Sequence, residues 1–220
     1  MSEEIALFPL SNVVLFPRVR APLHIFEPRY RQMVEHALAS DRLIGMATVH
    51  PDHVASMGGD PLVYPIGCAG IISQSQRLPD GRFHIVLDGT WRFRIVEEPP
   101  RPAERLYRVA QVERLADPYD SSQRDRVREL RSRILEMVRR LLALTDRERA
   151  REWRAEIFDG MDDEVFVNTL SQALALAAPE KQGLLEASGI ALRSERLEGL
   201  LAFRLAEIEV PGARSTKRLH

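Results

Sequence analysis

Residues 70–87 read GIISQSQRLPDGRFHIVL and predict the central element of the fold. Two segments, 70–78 and 82–87, flank a Pro-Asp-Gly triplet at residues 79–81. Proline presets φ, aspartate accepts a hydrogen bond from a nearby backbone amide, and glycine tolerates positive φ, so the triplet favours a tight turn. A period of two places three apolar side chains on one face of the second segment: Phe83, Ile85 and Leu87. The segment is therefore predicted to be a β-hairpin.

Short apolar segments on both sides of the hairpin predict further strands. Alternation resumes after Asp88-Gly89, with Trp91, Phe93 and Ile95 on one face. Other strands are predicted at residues 5–10, 12–16, 43–49 and 106–115. A helix is predicted from Pro28, because proline is tolerated in the first helical turn, to about residue 41. Six or more strands with one early helix predict a small barrel or twisted sheet in residues 1–118.

Residues 119–210 are rich in Leu, Ala, Arg and Glu at helical spacing and predict a helical subdomain. Helices are predicted at residues 122–144, 146–158, 162–178, 179–188 and 194–208. The first of them carries an apolar stripe that includes Val127, Leu130, Ile134 and Val138. Short breaks near residues 160 and 189 predict a compact antiparallel bundle. Residues 211–220 are polar and are predicted to form a flexible tail. The predicted fold class is α+β.

Composition excludes several classes of function. The chain has 220 residues with 31 Lys+Arg against 32 Asp+Glu, and its formal net charge of −1 disfavours a general nucleic-acid binder. Only Lys181 and Lys217 are lysines, and neither follows a Gly-rich turn, which excludes a Walker ATPase motif. No long apolar segment predicts a membrane span, and the acidic N-terminus is unlike a signal peptide. With a single cysteine, Cys68, the chain is predicted to be cytoplasmic.

The candidate reactive residues favour no catalytic site. His50 and His53 have a spacing that a metal site can use, but a polar loop is the favoured interpretation. Cys68 lies in a small-residue apolar segment and is predicted to be buried and structural. The two lysines are predicted to lie where nothing desolvates the amine, which argues against a Ser-Lys dyad. His24 and His84 lie in strand patterns and are predicted to be half-buried. No enzyme activity, cofactor or metal is predicted.

The segments LFPLSNVVLFP (residues 7–17) and APLHIFEPRY (residues 21–30) closely resemble the start of the substrate-binding N-terminal domain of Lon-type ATP-dependent proteases. Similar segments follow at residues 66–71, 80–95 and 180–186, so the resemblance covers about residues 4–208. It implies a PUA-like pseudo-barrel of about six strands with one helix, followed by a helical subdomain. In Lon proteases an ATPase and a Ser-Lys protease follow this region. This chain is expected to be a stand-alone substrate-binding-domain protein.

The sequence departs from the family pattern after Phe16-Pro17, where Arg18 replaces the usual glycine. The arginine predicts that this turn does not require positive φ, because a side chain disfavours that conformation. A second departure is Ala69-Gly70, where a bulkier residue is commoner before the following strand.

The resemblance implies a non-enzymatic module that binds exposed hydrophobic or extended polypeptide segments, with a protease or chaperone as a candidate partner. The hypothesised substrate-binding residues are Phe16, Pro22, His24, Phe26 and Tyr30. An extended segment can add to an open strand edge by main-chain hydrogen bonds while aromatic side chains supply apolar contacts. Core packing is the competing interpretation for each aromatic residue. The alternative function is a small-molecule or nucleic-acid binding PUA-like domain. The sequence does not predict an oligomeric state.

Overall fold

The computed structural model describes residues 3–209, which form six strands and six α-helices. The strands are β1 (Glu3–Leu10), β2 (Arg20–Ile25), β3 (Leu43–Thr48), β4 (Ile66–Arg77), β5 (Phe83–Glu97) and β6 (Arg108–Leu115). The helices are α1 (Pro28–Leu38), α2 (Arg124–Thr145), α3 (Arg147–Glu152), α4 (Asp163–Ala173), α5 (Ala178–Glu186) and α6 (Ile190–Glu209). Short 3-10 helices lie at Pro51–Ser56, Ser121–Gln123 and Ala155–Phe158. The predicted α+β class is confirmed.

The six strands form one sheet in the order β2-β5-β4-β3-β1-β6, and β5 also pairs with β6. The 15-residue β5 makes this closure possible, because its first half pairs with β2 and its second half pairs with β6. β1 and β3 are parallel, and the other pairings are antiparallel. Closure removes the edges of most strands, but β2 pairs only with β5 and remains at one end of the order.

The predicted hairpin is present as β4 and β5, joined by a turn over residues 78–82. Gly81 has φ 81°, which explains the glycine. The Leu78 amide donates to the Arg82 carbonyl at 2.8 Å, and the Arg82 amide donates to Asp80 Oδ1 at 3.1 Å. The roles predicted for Asp80 and Gly81 therefore agree with the structure. Alternation along β5 places Phe83, Ile85 and Leu87 in the core.

The predicted strand at residues 12–16 is wrong. Those residues are irregular, and the strand is β2, a few residues later. Leu15 and Phe16 are buried, so the apolar run marks core burial rather than strand pairing. The Phe16 amide donates to Gln172 Oε1 at 3.1 Å instead of to a neighbouring strand. Buried backbone groups need a partner, and here a side chain supplies it.

The prediction for the turn after Pro17 is also wrong, because Arg18 has φ 60°. The Arg18 amide donates to the Gly89 carbonyl at 2.8 Å, and the Gly89 amide donates to the Val19 carbonyl at 2.9 Å. A Cβ on Gly89 would lie 2.1 Å from the Phe16 carbonyl oxygen. Backbone hydrogen bonds to Gly89 of β5 thus determine the conformation of the turn. They hold Arg18 in a left-handed conformation, which a residue with a side chain disfavours.

The chain forms two compact units that do not follow a single cut in sequence. Among the described residues, the first contains residues 3–116 together with Asn168–Glu186, and the second contains Asp117–Val167 and residues 187–209. The sequence-based boundary at residue 118 stays a prediction, since compactness does not test independent folding.

Helical residues 168–186 are bound to the sheet of the first unit by buried side-chain hydrogen bonds. Asn168 Nδ2 donates to the Pro17 carbonyl at 3.0 Å. Gln182 Nε2 donates to the Ile66 carbonyl at 2.9 Å, and its Oε1 accepts from Thr48 Oγ1 at 2.7 Å. Arg92 of β5 is buried and donates to the Leu185 carbonyl at 2.8 Å. These contacts place the segment with the β-rich unit.

In the second unit α2 and α6 pack together, and three ion pairs fix their direction. Arg126 pairs with Glu195 at 2.8 Å, and the same row continues with Arg133–Glu198 at 2.5 Å and Arg140–Glu209 at 2.6 Å. Residue numbers rise together on both helices, so α2 and α6 are parallel and the predicted antiparallel packing is wrong for this pair. Val127, Leu130, Ile134 and Val138 of the predicted apolar stripe of α2 are buried as expected, whereas Leu141 and Leu142 at its end are only partly buried.

Several helix bounds differ from the sequence prediction. The predicted helix 146–158 is broken into α3 and a 3-10 helix, α4 ends at Ala173, and α6 begins at Ile190. The predicted tail, residues 211–220, lies outside the described residues. Between residues 3 and 209 no helix is long and apolar enough to cross a membrane.

Candidate functional site

The structure separates the five hypothesised binding residues into two groups. Phe16 is fully buried, and Tyr30 is 4% exposed and packs against Phe8 with ring centroids 4.6 Å apart. Both therefore belong to the core. Pro22 and His24 are exposed on β2, and Phe26 directly after β2 is 59% exposed. Only the second group is available to a ligand in this structure.

Pro22 and His24 belong to a surface that we call the outer face. It is formed by two cross-strand rows, Pro22–Val86–Gln74 and His24–His84–Gln76, across β2, β5 and β4. These side chains line a shallow groove of about 520 Å³. Both histidines are exposed, whereas the sequence predicted them to be half-buried. The reason is the register, which places Phe83 and Ile85 inward and the residues between them outward.

The outer face ends at the free edge of β2. Peptide groups alternate in direction along a strand, so those of Arg20, Pro22 and His24 point to the same side. Gln172 Nε2 donates to the Arg20 carbonyl at 2.7 Å, which identifies that side as the one away from β5. Proline at position 22 fits this side because it has no amide to contribute to the ladder with β5. The Pro22 and His24 carbonyls and the His24 amide are thus directed to the edge.

Phe26 extends the outer face beyond the end of β2. Its ring stacks beside that of His24, with centroids 6.0 Å apart and an interplanar angle of 24°. The chain then enters α1, where Arg29 pairs with Glu27 at 2.8 Å and donates to the Gly59 carbonyl at 2.7 Å. Burial raises the pKa of Tyr30 to about 12. The residues after Phe26 therefore fix the helix start and a loop, while the Phe26 ring itself stays exposed.

Charged residues at the rim of the outer face are paired. Arg20 contacts Asp88 at 3.2 Å, and Asp88 also accepts from Ser73 Oγ at 2.9 Å. Arg82 contacts Asp80 at 2.6 Å, and this hydrogen-bonded pairing holds the pKa of the Asp80 carboxyl below its usual range. A rim of paired charges around proline, valine and an aromatic ring suits an uncharged ligand segment more than a strongly charged one.

The reactive residues considered in the sequence do not assemble around a reaction centre. Cys68 is buried, and its thiol contacts the Ala69 carbonyl. Within residues 3–209 no group of three or more His, Cys, Asp and Glu is placed to hold a metal ion. Lys181 differs from its prediction, because partial burial lowers the pKa of its amine. Its ammonium donates to the Gln172 carbonyl near the end of α4, which is a structural role.

Sequence reasoning missed several residues that shape this surface, namely Gln74, Gln76, Val86 and Gln172. The alternation of β5 predicted that residue 86 would lie opposite the core face. Gln172 carried no signal, because a glutamine on a helix usually faces solvent.

Comparison with known proteins gives a consistent result. The family model for the ATP-dependent protease La (LON) substrate-binding domain matches residues 4–202. Lon protease 1 of Thermus thermophilus is 26% identical over 208 residues, covering 94% of this chain and 25% of that protein. The Lon protease of Trichlorobacter lovleyi is 31% identical over 116 residues, covering 53% of this chain and 14% of that protein. The chain thus spans about a quarter or less of these curated relatives.

Solved structures show the same fold. A Lon N-terminal domain protein from Xanthomonas campestris aligns with a TM-score of 0.61 at 20% identity, covering 91% of this chain and 98% of that one. The N-terminal domain of the Mycobacterium avium complex Lon protease aligns with a TM-score of 0.69 at 17% identity, with the same coverage. The match to the family model over most of the chain shows that this protein belongs to the family of the Lon substrate-binding domain.

Proposed function

We propose that this protein is a non-enzymatic module that recognises exposed hydrophobic or extended polypeptide segments. The segment lies along the free edge of β2 and across the outer face. Family membership supports recognition of the polypeptide substrates of a protease, and the open edge beside exposed apolar side chains is the observation that carries the location. The proposal includes a cytoplasmic setting and a protease or chaperone that receives the bound segment.

Two kinds of contact contribute to binding. The carbonyls of Pro22 and His24 and the His24 amide offer main-chain hydrogen bonds to an added strand. Pro22, Val86 and Phe26 offer apolar surface beside that edge. Main-chain hydrogen bonds are independent of sequence, so this arrangement favours many different extended segments over one specific motif. A groove of this size is within the usual range for ligand sites.

Phe26 provides the test, because the chain contains a matched control. Phe203 on α6 is 60% exposed against 59% for Phe26, and it lies in the second unit. Fluorescence anisotropy with labelled peptides from an unfolded protein should show binding at tens of micromolar. The substitution Phe26→Ala should weaken it at least about fivefold, the effect of losing one important interface side chain, and Phe203→Ala should not.

A second arm tests the edge contact separately. Peptides that carry N-methyl groups at alternate residues cannot donate main-chain hydrogen bonds there, and they should bind more weakly than the unmodified peptides. No binding by the wild-type chain, or equal loss in Phe26→Ala and Phe203→Ala, would contradict the proposal. Salt-dependent retention on an RNA matrix instead would favour the alternative of a nucleic-acid binding domain.

A further inference from the structure

The outer face contains a pair of histidines from two neighbouring strands. His24 and His84 are directly opposite each other in the antiparallel ladder of β2 and β5. The peptide groups of His24 point away from β5, so this is a pair without mutual backbone hydrogen bonds, in which side chains approach most closely. Their ring centroids are 4.8 Å apart, and both side chains are exposed.

This separation matches two imidazoles on one metal ion. With a metal–nitrogen length of about 2.1 Å and an angle at the metal between about 90° and 109°, the ring centroids lie about 4.5 to 5.3 Å apart. The other close pair, His50 and His53, has centroids 6.3 Å apart, which is outside this range. The ring separation of the cross-strand pair is therefore that of two imidazoles on one ion, whereas the separation of His50 and His53 is larger.

The neighbours of His24 show that one ring nitrogen is available as an electron-pair donor. Arg82 Nη1 lies 3.3 Å from His24 Nε2. A guanidinium only donates hydrogen bonds, so Nε2 accepts, and its lone pair is the one that a metal ion uses. Arg82 keeps a second partner in Asp80, at 2.6 Å, when a metal displaces it. Gln76 is the cross-strand neighbour of His84 in the same row.

We propose that His24 and His84 form a binding site for a divalent transition-metal ion that prefers imidazole, such as Zn²⁺, Ni²⁺ or Cu²⁺. Two protein nitrogens hold the ion, and water occupies the remaining positions, which open to the groove. Imidazole is a suitable ligand for each of these ions. The proposal stands on the histidine pair alone and does not depend on whether the outer face binds polypeptide.

Calorimetric titration of the untagged full-length protein with Zn²⁺ tests the site. Each of His24→Asn and His84→Asn should weaken binding at least about 10-fold, because changes outside the ligand shell already cost that much. His53→Asn is the matched control and should leave this binding unchanged.

Arg82→Gln gives a result in the opposite direction. It removes a competing donor and a positive charge beside the ion, so it should strengthen Zn²⁺ binding severalfold while far-UV circular dichroism stays unchanged. With Cu²⁺, electron paramagnetic resonance should show two nitrogen ligands, of which one is lost in His24→Asn. The proposal would be overturned if the wild-type chain did not bind Zn²⁺, or if His24→Asn bound it with the wild-type affinity. It would also be overturned if Arg82→Gln did not increase the affinity for Zn²⁺. Peptide binding by Phe26→Ala is a separate readout, so the two proposals fail independently.

Discussion

Two interfaces, one within each compact unit, are stabilised in different ways. In the first, buried polar side chains distant in sequence connect helices to strands, as Gln182 does between Thr48 and Ile66. In the second, α2 and α6 pack through a regular apolar stripe, and their ion pairs lie at the surface. Removing one partner of a buried hydrogen bond leaves the other unsatisfied, whereas an exposed ion pair is replaced by water. Equivalent polar substitutions should therefore have very unequal effects at these two interfaces.

The largest effect is expected at Gln182. The substitution Gln182→Met keeps the volume but leaves the Ile66 carbonyl and the Thr48 hydroxyl without their partner, and should cost about 3 kcal/mol of unfolding free energy. Trp91 lies in this unit and Trp153 in the other, so the fluorescence of Trp91 in a Trp153→Phe background follows the unfolding of the first unit in urea. Gln76→Met, at an exposed site of the same unit, is the control and should change stability little. If Gln182→Met and Gln76→Met lowered the unfolding free energy equally, the buried hydrogen bonds of Gln182 would not be important for stability.

A smaller effect of opposite sign is expected at Arg18. Its φ of 60° is unfavourable for a residue with a side chain, so Arg18→Gly should stabilise the first unit by about 1 kcal/mol. The increased freedom of glycine in the unfolded chain reduces this gain. The same urea experiment measures it, with Arg42→Gly as a second position at φ 63°. Destabilisation at both positions would show that the arginine side chains contribute more than the strain costs.

The smallest effect is expected in the row of ion pairs between α2 and α6. Arg126→Ala should cost about 0.3 kcal/mol, because the pair is exposed and screened by salt. This change in unfolding free energy is measured by urea unfolding at low and high salt, with Arg126→Ala in a Trp91→Phe background and Trp153 fluorescence as the signal. A loss as large as that of Gln182→Met would remove the distinction between the two interfaces.

The same comparison explains how much the sequence could predict. The hairpin was predictable because its turn depends on three adjacent residues, and the α2 stripe because it is periodic. The strand β2 was missed because Pro22 lowers strand propensity, while the apolar run 12–16 fits either a strand or a buried loop. The conformation of Arg18 depends on Gly89, which is 71 positions away along the chain. The parallel arrangement of α2 and α6 depends on the path of the chain between them.

The candidate site was predictable only in part. The segment containing Pro22, His24 and Phe26 was identified by resemblance, but burial separates Phe16 and Tyr30 from it. That separation depends on which way each side chain points, which the segment alone does not determine. Gln74, Gln76 and Val86 join the outer face through strand register, so they could be found only once the pairing of β2, β5 and β4 was known.

The central claim is that an extended segment adds to the free edge of β2. Hydrogen exchange at the His24 amide, measured by nuclear magnetic resonance on the full chain with and without a bound unfolded peptide, tests it most directly. Edge pairing predicts that this amide exchanges more slowly when peptide is bound, because it gains a main-chain acceptor. The claim would be contradicted if the His24 amide exchanged at the same rate with saturating peptide as without it.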